Sequence, residues 1–375
     1  MSNSTHRVNV VKIEEILPHS NADTLGIVHI GGYQCVVKKD NYKVGDLALY
    51  IQPDTIVPVH PAFAFLWADV PPQEEVPERK RRITVRRFRK EWSEGLLMPL
   101  TDFNFGPEDY PSEGDDVADL LGFKHYEEPE PAPQMHGKQY KGYPKSLRGW
   151  FWYILAKLHI YRPAVYGADQ CKAPKQFSPV YDVEGFKNYP HTFAEGEEVI
   201  VTEKIHGSNG RYQFGSADQK MHVGSHNYWK SEKSTCIWRR ALAQHPWLSE
   251  FCTQHPDHTV YLEVVPTQKG YTYGCTEDQT KVFVFDILKP DGTWLDKISL
   301  EYLVPVNMQV PLLYRRPFDL EKIKALVEGQ STVQGAKHIR EGIVIASATE
   351  RTVRGLGRAQ LKLKSMKFLE TEGKA

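Results

Sequence analysis

A chain of 375 residues is long enough to form two domains, each burying a core of its own. Lys plus Arg and Asp plus Glu both total 47, for a formal net charge of zero; attraction of a polyanion by a global field is excluded, and any nucleic-acid contact has to come from local basic patches. Cys35, Cys171, Cys236, Cys252 and Cys275 are odd in number and scattered, with no Cys-x-x-Cys pair, which argues against a disulfide framework and for a reducing cytoplasm.

Met1 to Val10 is polar, so no signal peptide is expected. The most apolar run, Trp150 to Ile160, is too short to span a bilayer and contains Lys157. A soluble, monomeric, cytoplasmic protein with no membrane partner is expected. Residues 7 to 60 read as short strands: one opening with Val8, Val10, Val11 and Ile13, then Gly26 to Ile30 and Gln34 to Val37 around Gly31-Gly32, then Asp46 to Ile51 after the Lys43-Val44-Gly45 turn. Several short strands at close spacing predict a small barrel. The phrases Pro18-His-Ser-Asn-Ala-Asp23 and Tyr42-Lys-Val-Gly-Asp46 resemble the N-terminal OB-type domain found in one branch of RNA ligases.

An acidic, Pro-rich loop, Pro71 to Glu78, leads into a basic block in which eight of the twelve residues Arg79 to Lys90 are Lys or Arg. Arg79, Arg81, Arg82, Arg86, Arg87 and Arg89, on a barrel strand beside Trp92, suit a groove that tracks phosphates; the plainer reading is a solvated edge strand kept soluble by charge. Ser93 to Pro99 closes the barrel, and residues 1–123 are read as the OB-type nucleic-acid-binding domain. Residues 124–176 are read as linker and interdomain helix: Glu127 to Pro133 carries three prolines and three glutamates, and Gly149 to Ile160 is a Trp- and Tyr-rich helix packing between domains. Cys252, His255 and His258 have ligand-like spacing but no fourth ligand, and read as a polar loop.

In residues 177–375 the segment Thr202 to Tyr212 places Lys204 at the end of an apolar-alternating run, before a Gly/Asn turn. A strand is predicted to reach Lys204, turn through His206 to Gly210, and return through Arg211 to Phe214 as a hairpin. A lysine on a rigid strand beside a tight turn suits a nucleophile aimed at phosphorus. Glu203-Lys204-Ile205-His206-Gly207-Ser208-Asn209 resembles motif I of the covalent nucleotidyltransferases, with His and Ser-Asn most similar to RNA ligases.

Four further segments follow in the order that family requires. Val260-Tyr-Leu-Glu-Val-Val265, with Glu263, resembles motif III, whose carboxylate accepts from the ribose hydroxyls. Lys281 to Leu288 resembles motif IIIa, by which Phe285 stacks on adenine. Glu341-Gly-Ile-Val-Ile345 resembles motif IV, by which Glu341 binds the metal through water and Val344 packs on the other adenine face. Leu361-Lys-Leu-Lys-Ser365 resembles motif V, and Lys362 and Lys364, alternating with leucines, emerge on one side of a sheet and need an anion between them. Arg358 would add phosphate contact, Asn209 a nucleotide contact, Glu203 an acceptor for the adenine amino group, and His206 would act near the pyrophosphate leaving group. His226 stands where related ligases carry an arginine, and Ala346 where a basic residue is common after motif IV; Arg351 or Arg354 are candidates to compensate.

The resemblance implies an α+β protein: an N-terminal OB-type β-barrel followed by a nucleotidyltransferase (adenylyltransferase) domain of antiparallel sheets with flanking helices. It implies an ATP-dependent RNA ligase, with Mg²⁺ or Mn²⁺, joining a 3′-OH to a 5′-phosphate through a lysyl-AMP at Lys204. Its partner would be RNA, as a nicked duplex or RNA/DNA hybrid, and its task RNA repair. Free lysine, with a pKa near ~10.4, is mostly protonated; partial burial and neighbouring cations would lower that value. DNA ligases and capping enzymes share the chemistry, but usually carry an OB domain after motif V, and eleven residues follow Lys364. A nucleic-acid-binding protein with an inactive transferase half is the reading from another class; Lys204, Glu263, Glu341, Lys362 and Lys364 being all present argues against it.

Overall fold

The computed structural model describes residues 7–71, 74–106, 108–126 and 169–372. In the N-terminal half, Leu47–Ile51 is the middle strand of an antiparallel sheet, between Val8–Lys12 and Leu96–Pro99. Its sequence, Leu-Ala-Leu-Tyr-Ile, is apolar throughout because both of its faces are covered. Leu49 and Ile51 join Val8, Val10, Met98, Phe63 and Phe123 in one core. Ala48 and Tyr50 join Val28, Cys35, Val37 and Leu97 in a second, against the sheet Leu17–His19, Ala22–Ile30 and Tyr33–Lys38.

The basic block is not one barrel strand. Glu78–Arg81 is a single helical turn, Arg82 bridges Ile56, and Arg86–Phe88 pairs with Glu91–Ser93 as a separate hairpin. The linker expected at 127–133 and the helix expected at 149–160 lie outside the described residues.

The C-terminal half holds two five-stranded sheets. The first runs Glu184–Gly185, Gln360–Lys364, Gly342–Ser347, Glu198–Lys204, Leu312–Pro317; only its short edge strand Glu184–Gly185 pairs in parallel. The second runs Trp229–Lys230, Lys220–Ser225, Ser208–Gly215, Thr259–Val265, Lys281–Leu288, antiparallel throughout. Helices Ile237–Gln244 and Pro246–Gln254 cover the outer face of the second sheet through Trp238, Leu248, Phe251 and Cys252. Cys252 is therefore a core residue on a helix and not part of a polar loop; its thiol lies 3.6 Å from the Tyr212 carbonyl. Ile323, on helix Leu320–Ala325, backs the first sheet against Val199, Val201, Ile343, Ile345 and Leu361.

The hairpin expected around Lys204 does not form. Glu198–Lys204 belongs to the first sheet and Ser208–Gly215 to the second, so residues 205–207 carry the chain from one sheet to the other. Gly207 permits the crossing: a Cβ there would lie 2.5 Å from the Val264 carbonyl oxygen and 2.6 Å from Val265 Cγ1. The lysine thus stands where the two sheets meet.

Cross-half contacts are polar. Tyr33 donates to Asn188 at 2.8 Å, Lys187 pairs with Glu94, and Arg82 bridges Asp54 at 2.6 Å and Glu372 at 3.3 Å. Among the described residues no helix is long and apolar enough to cross a membrane.

Candidate active site

Strand alternation sorts the first sheet into two faces. Register pairs Thr202 with Val344 and Val344 with Lys362, Ile200 with Ala346, and Ala346 with Gln360. Directly opposed residues share a face, so the even-numbered residues of these strands face one way and the odd-numbered apolar ones face the helix-backed core. The even face and the second sheet enclose a cavity of about 190 Å³, lined by Ile200, Thr202, Lys204, Val344, Ala346 and Lys362 on one side and by Asn209, Glu263 and Phe285 on the other.

Beside this cavity the Lys204 amine meets Glu341, whose side chain is 4% exposed. Its Oε1 lies 2.8 Å from Lys204 Nζ and 3.8 Å from Lys364 Nζ, and its Oε2 lies 3.6 Å from His206 Nδ1. Burial opposes the charge, but Lys204, His206 and Lys364 outweigh it and hold the carboxyl well below the usual range. On Lys364 burial likewise opposes the charge, but Asp54 of the N-terminal half, 3.7 Å away, and Glu341 keep the ammonium above the ordinary lysine value. Lys362 goes the other way: burial and the adjacent Lys364 and Lys204 hold it low, against the attraction of Asp182 at 3.5 Å. Glu263 accepts from the Gly207 N–H at 3.0 Å. Burial, opposed by Lys204 and reinforced by Glu341, pushes its carboxyl up to about 7.

A β-bulge falls at Phe285 and turns Asp286 onto the same face. Tyr261 pairs with Asp286 and Leu262 with Val284, so Phe285 is the extra residue of its strand. Tyr261 and Glu263 share a face, and the bulge therefore leaves both Phe285 and Asp286 on it, two consecutive residues on one side. Phe283, just upstream, is core at 4% exposed. Beneath Phe285, Asp286 is fully buried and ringed by Lys297 at 2.9 Å, Arg358 at 2.6 Å and the Tyr181 hydroxyl. Burial opposes its charge, but Lys297 and Arg358 hold it ionised, below the ordinary value. Lys297 also donates to the Phe285 carbonyl at 2.8 Å, tying this ion network to the ring. Sequence reasoning missed Tyr181 and Lys297; the one available signal was a lone acid, Asp286, in an otherwise apolar strand.

Lys204, Asn209, Glu263, Phe285, Val344 and Lys362 thus line one cavity, and Glu341 joins Lys204 to His206 and to Lys364, which lines a neighbouring cavity together with Lys362. Glu203 also lines the cavity; its Oε2 accepts from Thr332 N and Oγ1, both at 2.7 Å, and its Oε1 is buried with no hydrogen-bond partner among the described residues. One assignment is corrected. Arg358 is committed to Asp286 and to Glu350 at 2.7 Å, and is not placed to hold a phosphate in the cavity. Arg351 does not replace the missing base after Val344, because it pairs with Glu197 at 2.7 Å. His226 acts electrostatically on Asp182.

A divalent cation fits at Glu341. The chemistry there is a single ionised carboxylate rather than a cage; among the described residues no group of three or more His, Cys, Asp or Glu could hold a metal. One carboxylate suits Mg²⁺ or Mn²⁺ that keeps most of its water.

Residues 197–364 match the family model described as RNA ligase, and residues 7–100 match one described as an OB-fold domain. No curated protein sequence matches the chain significantly. Among solved structures, Naegleria gruberi RNA ligase with PPi superposes with a TM-score of 0.71 at 21% identity over 99% of both chains. A lysine-to-alanine variant of that ligase with ATP and Mn gives 0.71 at 22%, covering 97% of this chain and 98% of that one. A glutamate-to-alanine variant with AMP and Mn gives 0.72 at 21%, covering 98% of each.

Proposed function

The chain joins an OB-fold domain to a domain of the RNA ligase family, and on that premise we propose that it is an ATP-dependent ligase sealing 3′-OH/5′-phosphate nicks in duplex RNA or RNA/DNA hybrids. The observation that carries the reading is the position of Lys204: an amine 2.8 Å from a buried carboxylate, lining a cavity that also holds an aromatic wall, an aliphatic wall and Lys362, with Lys364 3.8 Å from the same carboxylate.

In this reading Phe285 and Val344 hold the adenine between them and Glu263 accepts from the ribose hydroxyls. The Lys204 amine attacks the α-phosphorus of ATP; the N–P bond forms, the bond to the β-phosphate oxygen breaks, pyrophosphate leaves and the amine gives up a proton. Next, an oxygen of the RNA 5′-phosphate attacks the adenylyl phosphorus and displaces the lysine. The 3′-OH then attacks the 5′-phosphorus, loses its proton and expels AMP. Glu341, 2.8 Å from the Lys204 amine, would hold a divalent cation through water, and that cation would supply charge that steadies the α-phosphate. Lys362 and Lys364 stabilise negative charge on the transferred phosphate. Residues 1–123 serve as the nucleic-acid-binding domain, 124–176 as linker and 177–375 as the catalytic domain of a cytoplasmic monomer engaged in RNA repair.

The deciding assay offers a nicked RNA duplex, a nicked RNA/DNA hybrid, a nicked DNA duplex and single-stranded RNA ends with ATP and Mg²⁺. Sealing of the first two at the highest rate is expected; preference for nicked DNA or for loose ends would overturn the substrate assignment.

Affinity for ATP is expected to depend on pH through Glu263. With its carboxyl at about 7, the better acceptor for two hydroxyls, the ionised form, grows as pH rises. ATP binding should tighten about tenfold between pH 6 and pH 8, and Glu263→Gln should lose that increment. Equal pH profiles for the two proteins, measured by calorimetry, would refute the role given to Glu263.

A further inference from the structure

The twelve-residue basic block divides into two halves with different chemistry. In the first, Lys80 pairs with Asp69 at 2.6 Å and Arg82 with Asp54 and Glu372. In the second, Arg86, Arg87, Arg89 and Lys90 are exposed, and among the described residues none of them pairs with a carboxylate. These four cations lie on the hairpin Arg86–Phe88/Glu91–Ser93, together with Phe88 at 43% exposed.

The turn of this hairpin is strained. Phe88 pairs with Glu91, leaving Arg89 and Lys90 as a two-residue connection with φ of 44° and 82°. Two positive φ values make a type I′ turn, which favours Asn-Gly; two long β-substituted side chains are a costly choice there. Strain of this kind persists only where the surroundings impose it, and it collects at functional sites. The surroundings are the Pro18–Asp23 loop. His19, 7% exposed, accepts at Nδ1 from the Asn21 N–H, so its Nε2 is the protonated nitrogen that donates to the Phe88 carbonyl at 3.1 Å. Asn21 donates to the Arg89 carbonyl at 3.1 Å, and Ser20 donates to Glu91 at 2.6 Å. The His-Ser-Asn run is a brace that holds the basic turn outward.

Val85, the residue before the hairpin, lines a polar cavity of about 300 Å³ between the two halves, together with Lys362 and Lys364. The hairpin therefore springs from the rim of the cleft that holds these two lysines. We propose that the Arg86–Lys90 hairpin clamps the RNA strand that ends in this cleft, its cations on successive phosphates and Phe88 stacked on a base. The clamp deepens the ligase reading and rests on it for the identity of the polyanion. Counterion release supplies affinity from such contacts, and an exposed ring accepts any base.

The test separates a clamp from a merely charged surface. The double variant Arg89→Asn/Lys90→Gly installs the preferred turn and removes two cations. Its melting temperature is expected to rise by about 2 °C as the strain is relieved. Its affinity for a nicked RNA duplex with a 5′-phosphate, measured without ATP, is expected to fall about tenfold or more, and the slope of log affinity against log salt to shrink by about 2. Phe88→Ala should weaken binding with the salt slope unchanged. Affinity of the double variant within twofold of wild type overturns the clamp, as does a loss with an unchanged slope and a lowered melting temperature. Should the wild type fail to take up AMP while the double variant still binds RNA more weakly, the ligase reading falls and the clamp stands.

Discussion

Lys204→Ala should abolish covalent nucleotide uptake and lower sealing by about a thousandfold or more, since it removes the amine that attacks the α-phosphorus in the proposed reaction. With ATP and Mg²⁺ the wild-type mass should increase by one AMP, and peptide mapping should place it on Lys204. The variant should remain folded, because Lys364 and His206 still face Glu341 and leave its buried charge partly compensated. Lys204→Met, which keeps the length and drops the charge, should be equally dead. An adduct on another residue of the wild type, or persistent adduct in either variant, would end the proposal.

Asp286→Asn should be among the most destabilising polar substitutions in the chain. Asp286 is fully buried between Lys297 and Arg358. Removing one partner of a buried pair costs about 3–5 kcal/mol, because the remaining charge has lost its counterion without regaining water. Lys297 is already held below the usual lysine range, burial outweighing Asp286, so it is the cation most exposed to this loss; Arg358 keeps Glu350. The double change Asp286→Asn/Lys297→Met should therefore recover much of the stability, a coupling that additive effects would not produce. Adenylylation should not recover in parallel, because Lys297 also holds the Phe285 carbonyl. Thermal unfolding decides it: Asp286→Asn within about 1 kcal/mol of wild type would show the network to be inessential.

The residues that gather around Glu341 were legible because each is a charge in a place where local preference wants none. Lys204, Glu263, Lys362 and Lys364 all interrupt apolar strands, and Glu341 opens one. Phe285 was a harder choice. Phe283 and Phe285 share one face of their strand, and only what packs over each separates the core ring, among Ile205, Val265, Tyr273 and Val333, from the ring that lines the cavity. The misreading of Arg358 has a simple cause: it was assigned by its neighbours along the chain, whereas its partner Asp286 lies 72 residues away.

Taken alone, the amino-acid order determined which stretches are strands, which face of each is apolar, and in what succession the reactive groups arrive, because those properties depend on side-chain alternation and turn chemistry within a few residues. Tertiary structure alone decided that Lys204 stands at a crossing between sheets and not in a hairpin, that Arg358 is a counterion, and that Lys80 and Arg82 of the basic block are paired with carboxylates while Arg86 to Lys90 are held out on a strained hairpin. Those outcomes depend on which distant charges and strand edges folding brings within a few ångströms, and short-range preference carries no information about that.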